Sequence, residues 1–65
     1  MTPSQFKLAI RVNDLALIAR GIRFNRKAGL SDKEIYRYFV LPVAPELSRE
    51  AFWHDIAEVA LEKHP

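Results

Sequence analysis

Sixty-five residues without a cysteine allow one small domain, whose core must come from apolar side chains alone because no disulfide or cluster of metal ligands can brace it. A composition that is 49% hydrophobic and 28% charged, with a formal net charge of +2, belongs to a folded chain and excludes a disordered one. No run approaches the ~18 apolar residues of a membrane span, and Met1 to Gln5 lacks the basic flank and apolar stretch of a signal peptide, so the expected location is the cytoplasm.

The first helix start is Thr2-Pro3-Ser4-Gln5. It has a hydroxyl at the N-cap, proline at the first helical position and glutamine three residues past the cap, and Met1 and Phe6 are spaced as a hydrophobic staple. The helix is expected over about 3–20, or on to 28. Leu8, Val12, Leu15, Ala19 and Ile22 recur along it at spacings of four and three, which marks them as its core stripe. Asn13-Asp14 and Gly21 are the two places where it can break: Asn13 can cap a fresh helix, and Gly21, like Gly29, can take the left-handed conformation that ends one.

Ser31 and Glu34 form a full capping box between Leu30 and Ile35, predicting a second helix over 32–41 with Ile35 and Phe39 on one face and Tyr36 and Tyr38 beside it. Pro42 ends it, and an extended stretch is expected between Pro42 and Pro45. Ser48 then opens a third helix over 49–63, with a Leu47–Phe52 staple but no acid or amide to complete a box. Phe52, Ile56, Val59 and Ala60 form its stripe, beside a partly buried Trp53 and Ala57. With no alternating strand pattern and no repeat, the expected fold is all-α: a compact bundle of three short helices, or four if the first one breaks.

The candidates for chemistry are few. His54 and Glu58 are four apart on a helix, but two ligands make a poor metal site, and His64 lies in a terminal tail. Ser31 and Ser48 are accounted for by capping. No catalytic residue, metal site or cofactor is therefore expected, and the chain reads as a binding protein and not an enzyme.

Charge carries more information. Residues 1–30 hold six cations against Asp14 alone, a balance of +5, whereas residues 31–65 hold four cations against seven acids, a balance of −3. The run from Arg20 to Lys27 places Arg20, Arg23, Arg26 and Lys27 around Phe24, a composition suited to phosphate or to an acidic protein surface. With Lys7 and Arg11 upstream, these seven residues are the expected partner-binding set. The competing expectation is that the cations solvate one helix face and complement the negative end of the helix dipole.

Gly29 to Ile35 resembles the opening of the first helix in many bacterial helix-turn-helix regulators. The resemblance ends there, since Val40 to Leu47 replaces the short turn that motif needs, and the third helix carries Glu50, Asp55, Glu58 and Glu62, which duplex DNA repels. Over most of its length, and most of all in Thr2 to Phe6 and in the Arg20 to Lys27 run, the chain is similar to the small regulators that lytic phages of the Xanthomonas-infecting type make to seize host RNA polymerase. That resemblance implies binding to the large subunits of bacterial RNA polymerase, inhibition of promoter initiation through interference with the sigma factor, and antitermination. Two other classes stay open: a nucleic-acid-binding regulator that uses the basic patch on phosphates, and an antitoxin-like interaction module whose partner completes its core.

Overall fold

The first corner of the chain is made at Asn13 and Asp14. In the computed structural model, which describes residues 1–65, the helix capped by Thr2 and Gln5 runs only over Pro3–Val12 (α1). Asn13 follows in the left-handed region at φ 57°, which asparagine enters more readily than most residues. Its amide donates to the Ile10 carbonyl and the amide of Asp14 donates to that of Ala9, the paired bonds of a Schellman closure. The Asp14 carboxylate then accepts from the Leu17 amide at 3.2 Å and caps the helix over Leu15–Lys27 (α2). The helix expected over about 3–20 is thus two helices, and the four-helix alternative is the one adopted. Asn13 ends the first of them and Asp14, not Asn13, starts the next.

Gly21 does not end a helix; it lies buried in the interior of α2. A Cβ built there would lie 2.3 Å from Cδ1 of Phe6, so glycine is what lets α1 and α2 approach across the Phe6 ring. Gly29 does act as a helix stop. At φ 97° it donates to the Arg26 carbonyl while Leu30 donates to that of Asn25, a second Schellman closure.

The Ser31–Glu34 box forms as expected, with the Ser31 amide donating to Glu34 Oε1 at 2.8 Å and the Glu34 amide to Ser31 Oγ at 3.2 Å. It opens α3, an α-helix over Asp32–Ile35 that widens into a π-helix over Tyr36–Val40. The amide of Leu41 donates to the Tyr36 carbonyl, five residues back. Residues 41–47 turn and do not extend. Val43 and Ala44 both donate to the Val40 carbonyl, Leu47 donates to that of Ala44, and Ala44 is buried, so the core draws in the segment that two prolines suggested would run straight. Ser48 Oγ accepts from the Ala51 amide and opens α4, which is α-helical over Arg49–Ala51, π-helical over Phe52–Ala57 and α-helical again over Glu58–Lys63.

All four helices feed one core: Phe6, Ala9 and Ile10 from α1, Ile18, Ala19 and Ile22 from α2, Ile35, Phe39 and Val40 from α3, and Phe52, Ala57 and Ala60 from α4. The Phe6 and Phe39 rings meet at 5.0 Å between centroids. The expected stripe of the first helix is only half correct, because Ala19 and Ile22 are buried while Leu8 and Val12 are 62% and 63% exposed. The two leucine-valine positions belong to α1, whose inward face is set by Phe6, Ala9 and Ile10. A single period carried across the break at Asn13 assigns them the phase of α2 instead. Ile35, Phe39, Phe52 and Ala60 face inward as expected, Trp53, Ile56 and Val59 are half-buried, and the chain forms no strand.

One box has a measurable acid response. Hydrogen bonds from Ser31, first from its backbone and then from its side chain, hold the Glu34 carboxyl below its ordinary pKa. A carboxyl depressed in the folded state contributes stability above its unfolded pKa and loses that contribution as the pH falls through the folded one. Glu34→Gln is expected to flatten part of the acid-side loss of thermal stability between neutral and strongly acidic pH. An acid slope identical to wild type in thermal melts would remove Glu34 as a contributor.

Candidate functional site

Helix α2 presents two faces of different character. Ile18, Ala19, Gly21, Ile22 and Asn25 are buried, and the one polar group among them is satisfied, since Asn25 Nδ2 donates to the Gly21 carbonyl at 2.7 Å. On the opposite side Arg20, Arg23 and Lys27 follow one another at spacings of three and four, with Phe24 four residues after Arg20 and three before Lys27, all exposed, and so share one outward strip. Phe24 is 50% exposed: an aromatic ring held in water between three cations.

The basic run is less uniform than its composition. Arg26 turns away from the strip and grips Asp32 with two parallel bonds, Nε to Oδ1 and Nη2 to Oδ2, both 2.9 Å, while its guanidinium carbon lies 5.5 Å from the centre of the Trp53 ring. The hydrogen bond to Asp32 raises the already high pKa of Arg26. Arg26 thereby ties the end of α2 to the start of α3 and to α4. Arg23 also has an internal bond, from Nη2 to the Leu61 carbonyl at 3.2 Å, where it supplies a donor and a positive charge to the C-terminal end of α4. Arg20 and Lys27 carry no ion pair.

Lys7 and Arg11 are one turn apart on α1, but the fold does not add them to the α2 strip in any closed site. Lys7 is half-buried, and Arg11 lines a different groove, between the end of α1 and the 43–47 turn. The seven expected partner-binding residues therefore divide into an outward strip of Arg20, Arg23, Phe24 and Lys27, a structural clamp at Arg26, and a separate pair on α1.

Two features were not expected from the sequence. Leu8 and Val12 form an exposed apolar pair on α1, and Tyr38 and Leu41 are exposed on and just beyond α3. Lys33, Arg37 and Arg49 line a single groove between α3 and the start of α4, in the half of the chain whose overall balance is negative. Lys33 and Arg37 at i,i+4 were available as a signal. Arg49 joins them only through tertiary folding.

His54 Nδ1 and Glu58 Oε2 stand 3.9 Å apart on the exposed side of α4, and no group of three or more His, Asp or Glu side chains converges to hold a metal ion. No helix is long and apolar enough to cross a membrane. Comparison with protein-family models, with curated proteins and with solved structures finds no match for this chain.

Proposed function

We propose that this chain is a phage-type transcription regulator that docks on the large subunits of bacterial RNA polymerase and inhibits promoter initiation by interfering with the sigma factor, with antitermination as a second effect of the same contact. The observation that carries the docking mode is the outward strip of α2, where Arg20, Arg23 and Lys27 surround an exposed Phe24. Such a strip suits an acidic protein surface with an apolar pocket: the ring is the anchor and the cations set orientation and association rate. The choice of polymerase among acidic partners rests on the resemblance in Thr2 to Phe6 and Arg20 to Lys27.

The test uses Arg20→Glu with Lys27→Glu, because neither residue is in an ion pair. Arg26 is unsuitable for charge reversal, since a glutamate there would face Asp32. Tagged wild-type chain should retain polymerase subunits from nuclease-treated bacterial lysate at low salt and reduce promoter-dependent transcription in a purified system. The double variant should keep its helical circular dichroism and lose both effects. Wild-type chain that recovers no polymerase subunit counts against the proposal, and capture that disappears with nuclease shifts the function to direct nucleic-acid binding by the same strip.

A further inference from the structure

The groove between α3 and the start of α4 gathers a second set of cations, independent of the α2 strip. Lys33, Arg37 and Arg49 line it together with Tyr36, Leu41 and Glu50, around a volume of about 330 Å³. None of the three cations is in an ion pair, and the only acid on the rim is Glu50, so the groove carries a local balance of +2. Lys33 and Arg37 are like charges one helical turn apart, an arrangement that disfavours the helix bearing them. The fold adds a third positive charge to that pair, and the α3 carboxylate that feels the charge of Arg37, that of Glu34, is hydrogen-bonded to Ser31.

The apolar lining is as specific as the charge. The Tyr36 hydroxyl is engaged internally, donating to the Leu47 carbonyl, and Tyr36 lines the groove beside Leu41. Two guanidinium forks and an ammonium match the oxygens of a phosphate, and an aromatic side chain in the lining suits a planar base. The groove is open to solvent and its volume is at the lower end of small-ligand sites, the scale of one nucleotide.

We propose that this groove binds a nucleotide unit, with Lys33, Arg37 and Arg49 on the phosphate and Tyr36 and Leu41 against the base or sugar. The unit can be a free mononucleotide or one residue of a single strand, and the two sources share the same recognition chemistry. An acidic peptide fits less well, because its carboxylates carry one charge each and leave the aromatic wall without a planar partner.

The experiment is a titration of the full isotope-labelled chain, followed by amide chemical shifts at low salt, with ADP in one arm and a short single-stranded oligonucleotide in the other. Saturable shifts at Lys33, Arg37, Leu41 and Arg49 are expected. Arg37→Ala with Arg49→Ala should weaken them by on the order of tenfold or more while helicity is kept, Glu50→Gln should tighten binding, and Arg20→Glu with Lys27→Glu should leave them in place. Shifts with ADP identify a free-nucleotide site, and shifts with the oligonucleotide alone identify a strand-binding site. The absence of shifts with either probe, or shifts unchanged in the Arg37 and Arg49 variant, overturns the proposal. Capture of polymerase through the α2 strip does not depend on this result, so the two proposals fail separately.

Discussion

Gly21→Ala is expected to destabilise the protein by about 2 kcal/mol, although alanine is the better helix former by about 1 kcal/mol in an exposed helix interior. The added methyl group would meet Cδ1, Cε1 and Cγ of Phe6 at 2.3, 2.6 and 2.8 Å, distances that no packed carbon tolerates. Phe6 cannot swing aside, since it is fully buried and its ring abuts that of Phe39. α1 must then tilt away from α2 or the ring must leave its rotamer, and either movement disturbs the centre of the core. Denaturant titration of the variant reads the loss directly. A stability equal to or above wild type would show that the Phe6 ring has room it does not use, and would sink the close-approach account of Gly21. A smaller partner ring position, as in Phe6→Leu, should restore part of the loss when combined with Gly21→Ala, because the two residues are in contact and their effects are coupled.

The second large effect is expected at Phe52. Truncating a buried phenylalanine to alanine costs about 3–5 kcal/mol, and a single core in a domain this small supplies little more than about 3–5 kcal/mol of net stability. Phe52 is fully buried, packs edge-on against Trp53 with ring centroids 5.1 Å apart, and has no disulfide or metal to compensate for its loss. Phe52→Ala should therefore be largely unfolded at room temperature, with its cooperative thermal transition gone. Phe52→Leu, which keeps most of the volume, should fold with a lowered midpoint. A Phe52→Ala variant that retains a sharp transition near the wild-type midpoint would show that α4 is held mainly by other contacts, such as the Arg26 clamp on Trp53.

Local chemistry was the most legible part of the fold. Thr2 with Gln5, Ser31 with Glu34, and Ser48 each start a helix where their side chains said they would, because a cap is decided by residues within one turn of each other. Gly29 was readable for the same reason. Gly21 was not: glycine serves both as a helix stop and as a place where two backbones come close, and only the position of Phe6, fifteen residues earlier, distinguishes the two. Leu8 and Val12 take the wrong phase from the sequence because their spacing to Leu15 is helical, while the left-handed turn at Asn13 resets the phase between them.

The candidate site was legible as charge and illegible as geometry. That Arg20 to Lys27 is basic is a property of the sequence, but which of its cations are free depends on Asp32, Trp53 and the Leu61 carbonyl, which come from other helices. A regional sum of charge hides the trio of Lys33, Arg37 and Arg49, because it treats the second half of the chain as acidic. A sum cannot see that the acids Asp55, Glu58 and Glu62 lie further along α4, away from the lining of the groove.

Ile35 and Val40 are five residues apart and both fully buried, and so are Phe52 and Ala57. Along an ideal α-helix such pairs would diverge by about 140° around the axis, and one member of each would face water. The π-helical turns over Tyr36–Val40 and Phe52–Ala57 take up one surplus residue apiece and bring both members back to the same side. Each wide turn is therefore a phase corrector, which lets two short hydrophobic words, each spelled in its own register, be read by one core. Forcing either turn into a regular α-helix with every residue kept would rotate everything beyond it by about 100°, whereas deleting the surplus residue inside the turn would keep the two stretches in phase.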